Sequence, residues 1–386
     1  MNWRKIKLKY IARFAYGDAL PKDEYREGFV KVFGSNGVYD KCSQANTQAP
    51  AIIVGRKGSY GKVNWSDESC FASDTTFFID VTTTHHHLRW LFYVLQTLNL
   101  DQGTDETAVP GLNRDDAYGK EVFIPPLSEQ KAIARYLDRQ TAKIDELIKA
   151  KKRLLELLDE KRRALITHAV TRGLNPDVPM RDSGVEWIGE VPKHWGVEFA
   201  KWLFKQIDDR SITGQEELLT VSHITGVTPR SEKDVNMFMA ESMEGYKVCQ
   251  SGDLVINTLW AWMGAMGVSF KPGIVSPSYH VYRPMGKYHP VYLDYLVRIP
   301  IFAEEAIRYS KGVWISRLRL YPEEFFQILL PVPLFEEQEE IAKYLVEETQ
   351  KLDNLGIATK KTIDLLQERR TALITAAVTG QLKIKE

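Results

Sequence analysis

The three consecutive histidines at positions 85, 86 and 87 are the residues in this sequence most suggestive of metal chemistry. Consecutive residues on a helix or a strand point in different directions, so three neighbours cannot all ligate one ion. No cysteine or carboxylate cluster lies near them in the sequence to complete a ligand set. We therefore expect these histidines to occupy a loop or a helix start, and we expect no metal site.

Catalytic motifs are absent from the sequence. It contains no GxxxxGK[ST] phosphate loop, GxGxxG, HExxH or GxSxG pattern, and no Asn-Pro-Pro-Tyr or Asp-Pro-Pro-Tyr signature of amino-methyltransferases. A catalytic nuclease or methyltransferase would need degenerate motifs. The glycine pairs Gly58/Gly61 and Gly264/Gly267 each follow an expected strand. Tight turns are their expected role, with close approach to nucleic acid as the alternative.

Composition places the chain among soluble globular proteins. It has 386 residues, 44% hydrophobic and 26% charged, and its 51 basic residues balance its 51 acidic ones. Any contact with nucleic acid would therefore depend on local basic surfaces or on a partner. The three scattered cysteines favour reduced thiols in a cytosolic protein. Positions 1 to 30 contain no apolar signal segment, and no apolar run approaches the roughly 20 residues that span a bilayer.

The elements that would position any functional residue are duplicated. Residues 112–174 align without a gap with residues 320–382, and 26 of the 63 positions are identical. Two unrelated amphipathic helices could share leucine, lysine and glutamate. They would not share the endings ALITHAVT and ALITAAVT or the matched Tyr136 and Tyr344. The chain therefore contains an internal duplication.

Each repeat predicts a long amphipathic helix, because apolar residues recur at spacings of three, four and seven with charges between them. About 38 residues at a rise of 1.5 Å would give each helix a length of roughly 55 Å. A helix of this length cannot bury its apolar stripe alone, so we expect the two to pack antiparallel about an internal two-fold axis. The residues expected to pack the pair are Ile133, Leu137, Leu147, Leu158, Leu165, Ile341, Leu345, Leu355, Leu366 and Leu373.

Two globular regions accompany the helices. Strands are predicted at 51–55 and 76–81 in the first region and at 253–257 and 279–283 in the second. Helices are predicted at 88–98 and, as one or two short helices, at 292–308. The loop RKGSYGKV at 56–63 is faintly echoed by WMGAMGVS at 262–269. The order is thus globule, helix, globule, helix, with a Pro- and Gly-rich linker after the first helix.

The block PPLSEQKAIARYLD at 125–138, its echo at 333–345 and the linker SGVEWIGEVPKHW at 183–195 resemble specificity subunits of Type I restriction-modification systems. The resemblance covers essentially the whole chain. One departure is that no copy of the linker stretch precedes the first globule, which begins Met1-Asn2-Trp3. We expect Trp3 to stand where Trp195 stands in the second half.

The resemblance implies an α+β fold, in which two α/β target-recognition domains are separated by two long helices that form an antiparallel coiled coil. It implies a non-catalytic subunit that reads a bipartite site on double-stranded DNA and binds two methyltransferase subunits and the restriction (motor) subunits. S-adenosylmethionine, ATP and Mg are then expected only in partners, in a prokaryotic cytoplasm. The expected domains are 1–125 and 196–333 for recognition, 126–174 and 334–386 for the helical spacers, and 175–195 for the linker.

Reading DNA requires side chains that carry donors and acceptors for base edges and phosphates. Because the two globules differ in sequence, we expect the two half-sites to differ. An ordinary surface or folding role is the alternative for each candidate, and Trp260 and Trp262 are expected in the core. The candidates are Arg56, Lys57, Ser59, Tyr60, Lys62 and Asn64 in the first globule, and Asn257, Ser278, Tyr279, His280, Lys311, Arg317 and Arg319 in the second.

A different class of function stays open from the sequence. The chain could be a structural adaptor whose globules bind protein rather than DNA, with the coiled coil as a spacer. The two hypotheses differ in one observable, which is whether the reconstituted complex shows a DNA sequence preference.

Overall fold

The computed structural model describes residues 3–20, 28–102, 111–233, 242–314 and 317–384. The chain divides into two compact units. Unit 1 comprises Met1–Arg153 and Thr359–Glu386, and unit 2 comprises Leu154–Ala358. Each unit therefore combines one globular region with segments of two long helices.

The globular part of unit 1 consists of short strands and two short helices that precede the first long helix. In chain order they are β1 (Arg4–Lys7), β2 (Ala15–Tyr16), β3 (Val30–Gly34), β4 (Gly37–Cys42), β5 (Ala51–Gly55), β6 (Val63–Ser66), β7 (Phe71–Ala72), β8 (Thr76–Ile79), α1 (Leu88–Leu95), α2 (Arg114–Gly119) and β9 (Glu121–Ile124). The first long helix is α3 (Leu127–Arg172).

The centre of unit 1 is an antiparallel sheet with the strand order β2-β8-β5-β6. Every residue of β5 is buried, which explains its uninterrupted apolar sequence AIIVG. Because side chains alternate along a strand, Ile52 and Val54 join the core that contains α1, whereas Ile53 packs with Phe33 in a separate cluster. The sheet is thus covered on both faces at its centre.

The globular part of unit 2 follows α3 and ends where the second long helix begins. Its elements are β10 (Met180–Asp182), β11 (Glu190–Pro192), β12 (Gly196–Phe199), β13 (Phe204–Ile207), β14 (Leu219–Ser222), β15 (Gly226–Pro229), β16 (Lys247–Cys249), β17 (Leu254–Asn257), β18 (Met266–Val268), β19 (Gly273–Val275), β20 (Tyr279–Pro284), α4 (Pro290–Val297), α5 (Pro300–Tyr309), α6 (Pro322–Phe325) and β21 (Leu329–Val332). The second long helix is α7 (Phe335–Val378).

Unit 2 repeats the central sheet of unit 1. Its strands follow the order β13-β20-β17-β18, again antiparallel throughout. Leu254 and Ile256 face the core that contains α4, and Val255 faces a smaller cluster on the other side. The faint similarity between the two globules in sequence therefore corresponds to a shared topology.

Strand pairing corrects the expected alignment of the two glycine-rich loops. Val54 pairs with Val63 in unit 1, and Ile256 pairs with Met266 in unit 2. Gly61 lies two residues before Val63, and Gly264 lies two residues before Met266, so the register makes these two glycines equivalent. The sequence echo had instead matched Gly61 with Gly267. Gly61 and Gly264 both adopt a positive φ, 77° and 79°, so both occupy turns that favour glycine.

The predicted elements of both globules are present, with small differences at their ends. Strand β5 has the predicted bounds, whereas β8 stops two residues and α1 three residues before the predicted ends. The helical stretch expected at 292–308 is two helices, α4 and α5. Pro300 begins α5 because proline lacks the N–H that would continue the preceding helix.

The long helices are longer than predicted. Helix α3 has 46 residues and α7 has 44, which at 1.5 Å per residue gives roughly 65–70 Å each. A glycine with a positive φ follows each helix end, Gly173 at 78° directly after α3 and Gly380 at 77° two residues after the end of α7. The first long helix continues to Arg172 because neither proline nor glycine interrupts it.

The two helices pack together, and within each unit the packed segments are antiparallel. In unit 1 the beginning of α3 shares a core with the end of α7, as in Leu137 and Ile374. In unit 2 the end of α3 shares a core with the beginning of α7, as in Val170 and Leu345. The antiparallel arrangement expected from the repeat is therefore the observed one.

Two of the ten residues expected to pack the helices lie at the surface. Leu147 and its counterpart Leu355 are 51% and 47% exposed. The buried stripe of α3 passes through Ile144, and a residue three positions later is rotated by about 60° from it. The other eight, Ile133, Leu137, Leu158, Leu165, Ile341, Leu345, Leu366 and Leu373, are buried or half-buried.

The linker between α3 and the second globule is ordered. Strands β10 and β11 form a hairpin, and Trp187, Val191 and Trp195 are buried in the core of unit 2. Among the residues that the structure describes, no helix is both long enough and apolar enough to cross a membrane.

Candidate nucleic-acid interface

Three kinds of hydrogen bond attach each globule to its long helices, and each kind recurs at equivalent positions in the two units. The indole N–H of Trp3 donates to Glu129 Oε2 at 2.9 Å. The indole N–H of Trp195 donates to Glu337 Oε2, also at 2.9 Å. Glu129 and Glu337 are equivalent repeat positions, so the expectation that Trp3 stands where Trp195 stands is confirmed.

A buried glutamine in the first turn of each long helix holds the entry to the neighbouring helix of its globule. Gln130 Oε1 accepts from the backbone N–H of His87 at 2.9 Å, and its amide donates to the carbonyl of Pro125. Gln338 makes the equivalent bonds to His289 and Pro333. Helices α1 and α4 are therefore docked in the same way.

Two further contacts are repeated. The hydroxyl of Tyr93 lies 3.1 Å from Thr141 Oγ1 in unit 1, and the hydroxyl of Tyr295 lies 3.1 Å from Thr349 Oγ1 in unit 2. Ion pairs between the helices also repeat, Arg370 with Asp145 and Arg162 with Asp353. Each globule is thus positioned on the helices by a shared set of polar contacts.

Two of the three consecutive histidines, His86 and His87, have structural roles. His87 caps α1, with its ring nitrogen accepting from the backbone N–H of Trp90, and His86 lies 3.2 Å from the side-chain amide of Gln130. Burial lowers the pKa of both, which favours neutral rings. The described part of the chain contains no group of three or more residues that could hold a metal.

The loop between β5 and β6 presents most of the candidates of the first globule. Lys57, Ser59 and Lys62 are exposed, and Lys62 donates to the backbone and side-chain oxygens of Asn36. Tyr60 is half-buried against the core, and Asn64 is half-buried with a side-chain nitrogen that has no hydrogen-bond partner.

Arg56, the first residue of this loop, is held by aromatic rings. Its guanidinium carbon lies 5.1 Å from the ring centre of Tyr16 and 5.8 Å from that of Phe77. A second arginine, Arg114, lies 5.0 Å from the same Tyr16 ring. Sequence reasoning missed Arg114 and Tyr16, because neither lies in a motif and only the fold brings them to Arg56.

The candidates of the second globule fall into two groups. Tyr279 and His280 pair with Asn257 and Ile256 across β20 and β17, and Ser278 is exposed beside them. The second group is Lys311, Arg317 and Arg319, in the segment between α5 and α6. The backbones of Lys311 and Arg319 form an isolated β-bridge, and the Lys311 side chain forms an ion pair with Glu324. These two groups occupy separate segments of the chain.

Asn257 and His280 are also engaged within the fold. Asn257 is only 5% exposed, and its side-chain oxygen accepts from the backbone N–H of Leu259 at 3.1 Å. His280 lies 3.5 Å from Lys247 Nζ, and burial together with this charge lowers its pKa to about 4. His280 is therefore neutral near pH 7 and can accept or donate one hydrogen bond at each nitrogen.

The loop after β17 is apolar, in contrast to the loop after β5. The expectation that Trp260 belongs to the core is wrong, since its side chain is 51% exposed, because it falls in the connection to β18 rather than in a strand. Leu259 and Met263 are also exposed there, and Trp262 is half-buried and donates to the carbonyl of Leu259. The exposed Trp314 near Lys311 was also missed, because its local sequence gives no signal.

Comparison with known proteins identifies relatives for this arrangement. Residues 1–157 match the family described as the Type I restriction modification DNA specificity domain. The Type I restriction enzyme EcoBI specificity subunit of Escherichia coli is 22% identical, over 99% of this chain and 86% of the relative. The MjaVIII specificity subunit of Methanocaldococcus jannaschii is 22% identical, over 77% of this chain and 70% of the relative.

Solved structures show the same fold. A chain solved in a study of complex assembly and conformational transition of the type I R-M system has a TM-score of 0.71 and 14% identity, covering 98% of both chains. The HsdS subunit from Thermoanaerobacter tengcongensis has a TM-score of 0.54 and 15% identity, over 98% of this chain and 97% of that one. The predicted resemblance and the predicted fold class are confirmed.

Proposed function

We propose that this chain, a relative of the Type I restriction-modification specificity subunits, is the DNA-recognition subunit of such a complex. It has no catalytic activity of its own and reads an asymmetric bipartite target on double-stranded DNA, in the cytoplasm of a prokaryote. The observation that carries the proposal is the duplication itself. Two globules with one sheet topology and one set of helix contacts differ in the loops that follow their equivalent strands.

Several physical features support this assignment. The loop after β5 carries Arg56, Lys57 and Lys62, whose donors suit phosphates and base acceptors. The chain has no net charge, so the salt-dependent part of the affinity would come from such local cations and from partner subunits. Because the corresponding loop of unit 2 lacks cations, the two half-sites are expected to be contacted in different ways.

An exchange of one globule tests the proposed function. Residues 1–111 are replaced by the matching region of a related specificity subunit, and the complex is reconstituted with its methyltransferase subunits. Mapping of methylated bases across the host genome is expected to show one altered half-site and one unchanged half-site. A complex without any sequence preference would instead favour the protein-binding adaptor, and a motif altered in both halves would contradict independent reading.

We further propose that two methyltransferase subunits bind the helices, one at each unit, and that the restriction subunits join this core. Apolar residues that are exposed in both repeats support two equivalent docking sites. Leu147 and Leu355 are one such pair, and Leu157 and Leu365 are another. Each unit carries one member of each pair: Leu147 and Leu365 in unit 1, Leu355 and Leu157 in unit 2. S-adenosylmethionine, ATP and Mg are assigned to these partners.

Native mass spectrometry of the co-expressed complex tests the stoichiometry. The wild-type chain is expected to carry two methyltransferase subunits. The double variant Leu147→Asp/Leu365→Asp is expected to retain one, and so is Leu157→Asp/Leu355→Asp. The matched control is Lys143→Asp, an exposed position on α3 outside these pairs. A wild-type complex with one methyltransferase subunit would contradict the proposal.

A further inference from the structure

Two arginines that are 58 positions apart meet at one aromatic ring in unit 1. Arg56 follows β5, and Arg114 begins α2. Their guanidinium carbons lie 5.1 Å and 5.0 Å from the centre of the Tyr16 ring. The backbone N–H of Leu112 donates to the carbonyl of Arg56 at 2.9 Å, which joins the two segments. We call Arg56 and Arg114 the arginine pair.

Each guanidinium of the arginine pair is held by a second ring as well. Arg56 lies 5.8 Å from the ring centre of Phe77, and Arg114 lies 5.8 Å from that of Tyr118. A guanidinium that stacks on an aromatic face leaves its edge, with up to five N–H donors, available to a ligand. The rings therefore fix the orientation of the two cations without using their donors.

Among the ion pairs of the described residues, none involves Arg56 or Arg114. The Nε of Arg114 is buried without a hydrogen-bond partner. The Tyr16 side chain that both cations contact is 48% exposed. Two cations that contact one half-exposed ring, and that form no ion pair among the described residues, provide positive charge that can attract an anion.

We propose that the arginine pair binds one phosphate of the DNA backbone beside the first half-site, which rests on the proposed function. A phosphate is favoured over a guanine base because two full positive charges gain more from an anion than from neutral acceptors. Such a contact fixes the position of the globule on the duplex and does not itself read sequence.

At the two equivalent positions of unit 2, both of which the structure describes, neither residue is an arginine. The register of the central sheets makes Thr258 equivalent to Arg56, and the repeat alignment makes Pro322 equivalent to Arg114. The proposal therefore predicts that this particular phosphate contact is made beside the first half-site and has no equivalent beside the second.

The salt dependence of DNA binding tests this contact. The complex with methyltransferase subunits is titrated with a duplex that carries the mapped target, at several salt concentrations. The double variant Arg56→Ala/Arg114→Ala is expected to reduce the slope of log K against log salt by about 1, the value for a single phosphate. Each single alanine variant is expected to reduce the slope by less than the double variant does. The variant Arg56→Lys/Arg114→Lys is expected to retain most of the slope because it keeps both charges.

Duplexes with single methylphosphonate substitutions locate the phosphate. One neutralised position beside the first half-site is expected to weaken binding by the wild-type complex and to have no further effect on the double alanine variant. The matched control is Lys5→Ala, a cation of the same globule that is already paired with Glu121. It is expected to leave the slope unchanged, and circular dichroism verifies that each variant is folded.

Two outcomes would overturn the proposal while leaving the proposed function intact. One is an unchanged salt slope in the double alanine variant. The other is a methylated motif that changes in the first half-site, which would indicate that the arginines read a base. A wild-type complex with no preference for any sequence would instead overturn the proposed function itself.

Discussion

Units 1 and 2 share their contacts with the helices and differ in the loops at their central sheets. The Trp–Glu, Gln–backbone, Tyr–Thr and Arg–Asp contacts recur at equivalent positions. The loop after β5 is basic, whereas the loop after β17 exposes Leu259, Trp260 and Met263. The residues that attach each globule to the helices are therefore shared between the units, whereas the residues of the loops, which are the candidates for DNA contact, differ.

A second difference lies within the sheets. Val54 pairs with Phe77 in unit 1, and its counterpart Ile256 pairs with His280 in unit 2. Phe77 supports Arg56, whereas His280 lies beside the buried Lys247, which pairs with Asp208 at 3.3 Å. Unit 1 thus places its cations at the surface, and unit 2 buries one among polar groups.

The largest expected effect tests whether the scaffold is equivalent in the two units. Leu137 and Leu345 are repeat counterparts, and both are fully buried. Leu137→Asp and Leu345→Asp are each expected to lower the free energy of unfolding by about 3–5 kcal/mol, because each leaves an unpaired charge in a core. Urea denaturation followed by circular dichroism measures the change.

The controls for this prediction are Leu147→Asp and Leu355→Asp, at exposed positions of the same helices. They are expected to alter the free energy of unfolding by no more than about 0.5 kcal/mol. A large loss in one unit and a small loss in the other would show that the two helix segments do not contribute equally.

Sequence reasoning predicted the scaffold well because the scaffold depends on local periodicity and on a repeat. The long helices and the strands predicted at 51–55 and 253–257 follow from patterns within a few residues or from the 208-residue offset, and the role of Trp3 follows from its likeness to Trp195 in the linker stretch. The exposure of Leu147 was missed because heptad spacing alone does not fix which side of a broad stripe is buried.

The candidate interface was less predictable because it depends on contacts between distant segments. Arg56 was identified by its type, but Arg114 and Tyr16 meet it only through the folded sheet and α2. Likewise, nothing local to His280 indicates that Lys247 lies beside it. The assignment of individual DNA contacts remains a prediction.

The second prediction uses the pH dependence that only unit 2 carries in its sheet. His280 has a pKa of about 4 in the folded state, because burial and the charge of Lys247 disfavour the protonated ring. An unfolded histidine titrates near 6.5, so the unfolded state binds more protons between these values. The stabilisation is present above pH 6.5 and is lost as the pH falls toward 4.

Over this range the free energy of unfolding is expected to fall by roughly 2 kcal/mol from His280 alone, allowing for its partial exposure. His280→Phe, which places the residue of unit 1 at this position, is expected to remove that component. Urea titrations at a series of pH values measure it. If the free energy of unfolding fell equally with pH in wild type and variant between pH 6.5 and 4, the pH dependence would belong to groups other than His280.

The third prediction compares the indole contacts of the two units. Trp3→Phe and Trp195→Phe each remove one N–H bond to a glutamate, at an expected cost of about 1 kcal/mol. Glu337 keeps a second partner, because His194 Nε2 lies 2.9 Å from the same carboxylate oxygen. Thermal denaturation of both variants measures the loss of stability. A loss in only one of the two variants would show that the indole contacts of the two units are not equivalent.

The smallest expected effect concerns the repeated ion pairs between the helices. Arg370 with Asp145 in unit 1 and Arg162 with Asp353 in unit 2 occupy equivalent positions, and both aspartates are about half exposed. Exposed pairs gain little because water screens them and two side chains lose freedom, so each double-mutant cycle with alanine is expected to give a coupling of about 0.2–1 kcal/mol. The couplings are expected to decrease in high salt.

Arg370 also lies 3.5 Å from the side-chain oxygen of Gln96. Its single alanine variant is therefore expected to lose slightly more stability than that of Arg162, while the two couplings stay alike. Couplings that differ by more than 1 kcal/mol would mean that matched positions in the repeat do not imply matched energetics.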